Sequence, residues 1–330
     1  MRSFALTSAL ACATAFPSAA ASIEDGIAYV LNATGDQLII SPDLRNPTDD
    51  TRVSLNGPTA GFNLEGIAYR PSNRTFVGWD DETDTVYSVD VATGAVAPLA
   101  AAPATPSTNG GPIATSSPNL GIDFNNVLDA ARVVSESDEN LVYFPNDAIQ
   151  DGSGFPATRG GTIDRFTDPF FAPGDVNEGE SPQIVANAYS NAVPSPATTV
   201  QRVLLAGNDA LAFLDNNAGT VDTIGEIVAN GIQVDVNQTA GYDILSLFEG
   251  DNLPIIQIVN AALNLSELYT LDAPLADGGV TTVNANFVGA YDEIVRGLAV
   301  APSPVPVPAA GLLLPLAFGG LAMMRRRKKV

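Results

Sequence analysis

The sequence predicts an all-β protein, a β-propeller of about five blades that is closed by a strand from the C-terminal side. Two observations predict this fold. Short runs of β-branched and aromatic residues alternate with turns rich in Asn, Asp, Gly and Thr, and few stretches show helical periodicity. In addition, a unit of such runs recurs within residues 22–300, which we predict to be one domain. Blades of a propeller are units of this kind.

The recurring unit is most complete near the N-terminal side. Its four runs cover residues 64–69, 74–79, 85–90 and 95–99. Comparable units follow at residues 120–144, 184–224 and 241–283, with uneven spacing around an insert at residues 150–183. A solenoid or a sandwich is the alternative to a propeller, and the uneven spacing leaves the number of blades open by one.

A strand from the far end of the domain completes the first unit. That unit has runs at residues 26–30, 37–41 and 51–55 but no opening run. The segment 295–300 has the same pattern as the opening run at residues 65–69, with a glycine followed by apolar residues. Pairing of the two ends would remove the exposed edges of the sheets.

The first 21 residues have the features of a cleavable secretion signal. Arg2 precedes an apolar stretch that extends from Phe4 to about Phe16, and the small residues Ala19, Ala20 and Ala21 follow. This A-x-A pattern predicts cleavage after Ala21. The apolar stretch is too short to span a bilayer comfortably, so we expect removal rather than anchoring.

The C-terminal end has three parts. Residues 301–308 are rich in proline and predict a stiff, extended spacer. Residues 309–324 are apolar and predict a short hydrophobic helix, and residues 325–330 form a basic tail that would stay on the cytoplasmic side.

The spacer, helix and basic tail together resemble the PEP-CTERM class of sorting signals, in the variant with a V-P-L-P-A core. The matching residues are Val305, Pro306, Val307, Pro308 and Ala309. The resemblance implies an exosortase-type processing enzyme as partner, a transient inner-membrane anchor, and final placement at the cell surface or outside the cell. Val307 replaces the usual Leu, which leaves the cleaved bond open. A permanent anchor is the alternative.

Composition excludes several classes of function. Without the two ends, nine of the 15 basic residues remain against all 37 acidic residues, which gives a formal charge of −28. Such a field disfavours nucleic acid and anionic membrane surfaces as partners. Histidine is absent, and the single cysteine, Cys12, lies in the signal. Ser-His-Asp and Cys-His catalysis are therefore excluded, as are most zinc sites.

Three segments resemble signatures of the bacterial domain-of-unknown-function family 4394. They lie at residues 121–141, 173–191 and 216–220, and the likeness extends over nearly all of residues 25–300. Gln201-Arg202 departs from the family, which tends to have an aromatic residue near this position. The family has no assigned reaction, so the resemblance implies fold and compartment but no activity.

One segment begins like a calcium-binding loop. Asp175 and Asn177 have the alternate spacing of calcium ligands, but Glu180 and Ala186 stand where an EF-hand requires Gly and a bidentate Glu. An EF-hand is excluded, and a looser Ca²⁺ site at Asp175 and Asn177 is the one cofactor hypothesis that stays open. The alternative is that the protein binds no cofactor.

Other carboxylates are interpreted as structural or as channel residues. The acidic segment 79–84 is predicted to be a solvated hairpin, and segment 135–140 to be the equivalent turn of the next unit. Asp123 and Asp243 lie on opening strands, which line the central channel of a propeller. They could perform acid–base chemistry, hold a metal, or bond backbone amides.

These features predict an exported surface or matrix protein with a non-enzymatic binding or structural role, with surface polysaccharide as one partner. No catalytic residue is assigned. The alternative is a secreted, metal-assisted hydrolase or lyase that uses carboxylates in the channel.

Overall fold

The computed structural model describes residues 20–101, 115, 117–147, 160–272 and 282–304. Within these ranges the regular structure is all strand, apart from one short 3-10 turn at Ile23–Asp25. The all-β prediction is therefore confirmed. The predicted signal and the hydrophobic helix lie largely or wholly outside the described residues.

The strands form sheets of mostly antiparallel neighbours. The first sheet contains β1 (Gly26–Asn32), β2 (Gln37–Ser41), β3 (Thr51–Ser54) and the last strand, β22 (Val295–Pro302). The second contains β4 (Gly66–Arg70), β5 (Thr75–Asp80), β6 (Thr85–Val89) and β7 (Val96–Ala101). The third contains β8 (Leu120–Asn125), β9 (Ala130–Ser135), β10 (Asn140–Phe144) and β11 (Thr162–Arg165).

Two further groups of four strands join into one ten-stranded sheet. One group is β13 (Ile184–Tyr189), β14 (Gln201–Leu205), β15 (Ala210–Leu214) and β16 (Thr220–Ala229). The other is β18 (Gly241–Leu245), β19 (Leu253–Asn260), β20 (Leu265–Asp272) and β21 (Thr282–Ala290). The short strands β12 (Phe170–Phe171) and β17 (Ile232–Gln233) pair with β16. Parallel pairing of β16 with β21 joins the two groups.

The predicted closing strand is confirmed. β22 pairs with β1 in antiparallel register, from Gly26 opposite Pro302 to Asn32 opposite Val295. The fourth strand of the third sheet, β11, lies within the predicted insert at residues 150–183. It has only four residues and follows a long connection after β10, so it has too little alternation to stand out in the sequence.

The first strand of each group lies on the inside of a ring. β22, β4, β8, β13 and β18 contact one another in this cyclic order, and β18 contacts β22 again. β8, β13 and β18 are buried along their whole length, and β4 and β22 are mostly buried. The arrangement is propeller-like, because each sheet radiates outward from the ring.

Apolar side chains fill the space between neighbouring sheets. Trp79 of the second sheet, for example, belongs to one buried cluster with Ile122 and Phe124 of the third. Alternating side chains of a strand point to opposite faces, so each sheet contributes to the two layers on its sides. The hydrophobic core is therefore divided into layers that follow the ring.

A buried arginine connects the third sheet to the fourth group. The Nε atom of Arg132, on β9, donates to the Tyr189 hydroxyl at 3.0 Å, and one Nη atom donates to the Asn217 side-chain oxygen at 3.0 Å. The other Nη atom donates to the Asn216 carbonyl oxygen at 2.6 Å and to the side chain of Asn140. Arg132 is 4% exposed, so these bonds replace its lost hydration.

Candidate functional site

Small residues close the channel inside the ring. Each inner strand contributes one of them: Gly66, Gly121, Ala186, Gly241 and Gly297. A Cβ atom on Gly121 would lie only 2.4 Å from the backbone nitrogen of Asn187 on the next strand. The space left between the described inner strands is a cavity of about 10 Å³, which is the size of one water molecule. An organic substrate does not fit there.

The two channel aspartates bond backbone amides of neighbouring strands. The Asp123 carboxylate accepts a hydrogen bond from the Tyr189 amide at 2.6 Å, and Asp243 accepts one from the Val300 amide. Burial raises the pKa of Asp123 well above its usual range, and the nearby Asp243 raises it further. Burial also raises the pKa of Asp243 to about 7. Neither residue lines the small cavity, so the structure shows a tie between strands at each of them.

An acidic group lies where the inner strand β4 begins. Ligand oxygens of Glu65, Asp80 and Asp81 all lie within 4.8 Å of one another. Glu65 accepts hydrogen bonds from the Asn63 side chain at 2.6 Å and from the Asp81 amide at 2.9 Å. Asp80 accepts from Thr83, through both its amide and its hydroxyl. Among the described residues, this is the group of three acidic side chains with the spacing of metal ligands.

The interpretation of segment 79–84 as a solvated hairpin is half right. The segment does contain the turn between β5 and β6, but Asp80 is only 4% exposed and Glu65 only 2%. Glu65 was missed because no pattern in the sequence distinguishes it from a surface residue. It is bonded by the Asp81 amide of the turn after β5, and Arg296 of β22 lies near enough to affect its pKa.

Arg296 of the closing strand lies near this acidic group. One of its Nη atoms donates to the Pro118 carbonyl oxygen at 2.7 Å, and its charge favours the ionised form of Glu65. Burial acts in the opposite direction and is stronger, so the pKa of Glu65 rises to about 8. Burial also lowers the pKa of Arg296. Glu65 is therefore a carboxyl that holds its proton near neutral pH and that exchanges it just above.

The predicted metal ligands Asp175 and Asn177 lie together in the loop after β12. The Asp175 carboxylate accepts hydrogen bonds from the Thr223 amide at 2.6 Å, the Thr223 hydroxyl at 2.9 Å and the Asn177 amide at 2.8 Å. The Asn177 oxygen accepts from the Asn208 side chain at 3.3 Å. These bonds fasten the loop to β16.

A polar cleft of about 440 Å³ lies in the first sheet where β1 ends, β2 begins and β3 ends. One wall is the turn between β1 and β2, and the other is the segment that follows β3; the Leu64 amide bonds the Gly35 oxygen at 2.9 Å and joins them. Six polar side chains line the cleft: Asn32, Thr34, Asp36, Gln37, Ser54 and Thr59.

The turn of this cleft is ordered by its own hydrogen bonds. Thr34 and Asn32 donate to Asp36 at 2.6 and 2.7 Å, and these bonds lower the pKa of the Asp36 carboxyl. Gln37 and Ser54 make no side-chain hydrogen bond to any described residue. Both residues line the cleft.

The predicted sorting motif lies outside the described residues, as does the proposed hydrophobic helix. Within the described part of the chain, the structure contains no helix with the length and apolar character of a membrane span.

Comparison with solved structures gives similarities of overall fold at low sequence identity. A chain from a nidogen/laminin complex is 11% identical, with a TM-score of 0.41, over 83% of this chain and 84% of that chain. Virginiamycin B lyase from Staphylococcus aureus is 9% identical, with a TM-score of 0.37, over 86% of both chains. An auxiliary nutrient binding protein from Bacteroides thetaiotaomicron is 14% identical, with a TM-score of 0.37, over 69% of this chain and 55% of that chain.

Comparison with curated proteins gives no match. The family profile described as "Domain of unknown function (DUF4394)" matches residues 38–299, which include most strands of all five groups and the contacts of the inner ring. This range agrees with the resemblance seen in the sequence, and the chain belongs to the DUF4394 family.

Proposed function

We propose that this protein is an exported surface or matrix protein with a non-enzymatic binding or structural role. The observation that supports this proposal most is the closed channel. The inner strands leave about 10 Å³ between them, and both channel aspartates are engaged by backbone amides. The ring is then a rigid scaffold, and its outer surface is where a partner would bind.

In this proposal the five groups of four strands are the five blades of a propeller. The cyclic contacts of the inner strands and the pairing of β22 with β1 support this count. Ring closure by the last strand protects the sheet edges, which suits a protein that works outside the cell without disulfides.

The polar cleft of the first sheet is the proposed binding site for surface polysaccharide. Uncharged side chains such as Gln37 and Ser54 match the hydroxyl groups of a sugar, which both donate and accept hydrogen bonds. The formal charge of −28 repels polyanions, so the proposal specifies a neutral polysaccharide.

Binding of the purified exported protein to neutral and to uronate-containing polysaccharides tests this site. The double substitution Gln37→Ala and Ser54→Ala should weaken binding to the neutral polymer about tenfold, because two hydrogen bonds are lost. Gln233→Ala, an exposed change on β17, is the matched control and should have no effect. Unchanged binding in the double variant would reject the cleft, and no binding to any polymer would reject the glycan partner.

Display at the surface is proposed to depend on the tail at residues 301–330. Processing by an exosortase-type enzyme would remove the basic cluster at residues 325–329 after transient anchoring in the inner membrane. Mass spectrometry of the C-terminus of the exported protein should show its loss. An intact basic cluster would instead support a permanent anchor.

The alternative function is a secreted hydrolase or lyase assisted by a metal ion. The group of Glu65, Asp80 and Asp81 favours this alternative more than the channel aspartates do. Thermal melts with Ca²⁺ or Mg²⁺ and with a chelator distinguish the cases. A metal-dependent rise in melting temperature that Glu65→Gln abolishes would place an ion at this group. A rise that Asp175→Asn abolishes would place the ion in the loop after β12. An unchanged melting temperature would reject the metal-dependent version.

A further inference from the structure

A buried carboxylate holds the backbone nitrogen of Ala21. The Ala21 nitrogen lies 2.8 Å from one oxygen of Asp251 and 2.9 Å from the other. Asp251 follows the inner strand β18, 230 residues along the chain, and is 7% exposed. Ala21 also packs against the apolar layer that contains Leu245 and Val300. The N-terminal segment is therefore seated at a defined place on the ring.

The geometry around this nitrogen fits an ammonium group better than an amide. A backbone amide has a single hydrogen and makes one good hydrogen bond, whereas an α-ammonium group has three hydrogens and a positive charge. A nearly buried carboxylate also needs a cation to offset its lost hydration. Within the described residues no arginine forms an ion pair with Asp251, which accepts one further bond, from the Leu247 amide at 3.3 Å.

We propose that the secretion signal is cleaved between Ala20 and Ala21, one residue earlier than the sequence pattern predicts, and that Asp251 binds the new α-ammonium group of Ala21. Ser18 and Ala20 are small residues at the third and first positions before this bond, as a signal peptidase requires. Hydrolysis by such a membrane peptidase breaks the Ala20–Ala21 peptide bond. Water supplies the hydroxyl of the Ala20 carboxyl group, and the Ala21 nitrogen becomes an amine that takes up protons.

The Asp251 site gives processing a structural consequence. Before cleavage the carboxylate faces a neutral amide, and after cleavage it faces a cation at the same position. The new ion pair joins the N-terminus to the loop after β18, and β18 itself contacts the closing strand β22. Removal of the signal thereby strengthens the region where the ring closes. This inference depends on the proposed export, because it requires a peptidase outside the cytoplasm.

N-terminal sequencing and intact mass of the exported protein test the cleavage site. We expect the chain to begin at Ala21. A chain that begins at Ser22 would overturn the proposed site while leaving export intact. An exported chain that retains residues 1–20 would overturn cleavage, and a chain found only inside the cell would overturn export itself.

Thermal melts of chains with defined N-termini test the ion pair. A chain from residue 21 to residue 330 with a free amine should melt about 2–4 °C above the same chain with an acetylated amine. Asp251→Asn should abolish this difference, whereas Glu249→Gln, a neighbouring carboxylate that accepts from the Ala197 amide, should preserve it. Equal melting of the free and acetylated chains would overturn the proposed role of Asp251.

Discussion

The carboxylate of Asp243, on β18, accepts a hydrogen bond from the backbone amide of Val300, on the closing strand β22. Asp123 has the same relationship to Tyr189, on the next inner strand. In each case a side chain from one inner strand satisfies a backbone donor of the neighbouring inner strand, which is the edge strand of its own sheet. These ties hold adjacent sheets together at the centre of the ring, where a backbone donor without a partner would be costly.

Asp243→Asn should make the protein less sensitive to pH. Burial raises the pKa of Asp243 to about 7 in the folded state, while an unfolded aspartate has a pKa of about 3.9. The folded state thus binds a proton that the unfolded state has lost, and the free energy of unfolding falls as pH rises from about 4 to about 7. An asparagine keeps the acceptor without the charge, so melting temperatures of the variant should change less over this window. Asp215→Asn, at an exposed position, is the control and should follow the wild type.

Glu65→Gln should remove a loss of stability that continues to a higher pH than the loss caused by Asp243. The pKa of Glu65 is raised to about 8, against about 4.3 for an unfolded glutamate, so its contribution to stability continues to decline between pH 7 and 8. The variant should therefore melt above the wild type at pH 9 and close to it at pH 4. Glu82→Gln, in the exposed part of the same hairpin, should not reproduce this gain. A wild-type melting temperature that is constant from pH 7 to 8 would contradict the buried carboxyl.

Gly121→Ala should destabilise the ring by about 1–3 kcal/mol or more, because overpacking forces backbone to move. The added methyl group would lie 2.4 Å from the Asn187 nitrogen, where the neighbour is backbone and cannot rotate away. Gly207→Ala is the matched control, since its methyl group would meet only the flexible end of Gln183 at 3.2 Å. Chemical unfolding should separate the two variants. Equal stability of the Gly121→Ala and Gly207→Ala variants would mean that the inner strands have room for a methyl group at Gly121.

Arg132→Met should lower the free energy of unfolding by about 3 kcal/mol or more. The change leaves the Tyr189 hydroxyl and the Asn140 side-chain oxygen without the bonds that Arg132 donates, at a cost of about 1–3 kcal/mol for each group. Arg45→Met, which removes the ion pairs of an exposed side chain, should have little effect on the free energy of unfolding. Urea unfolding of both variants measures this contrast, and a small loss for Arg132→Met would show that water replaces its bonds.

The sequence alone determined the strand content, the repeated unit and the pairing of the two ends. These features depend on local alternation and on turn residues, which recur along the chain and are readable without knowing the contacts. The match between segment 295–300 and segment 65–69 was enough to predict that β22 completes the first sheet. The composition also limited the possible chemistry, since a chain without histidine has few catalytic options.

Only the tertiary structure decided which polar groups are buried and with what. Glu65 and Arg296 are 231 positions apart, and Ala21 and Asp251 are 230 positions apart, so neither pair has a local pattern. Likewise the glycines of the inner strands look like ordinary turn or strand residues until the ring brings their backbones together. The segments that pack around a titratable side chain decide the direction in which its pKa moves. In the same way, the packing of the inner strands decides whether the channel is closed. That depends on packing between distant segments, which periodicity does not encode.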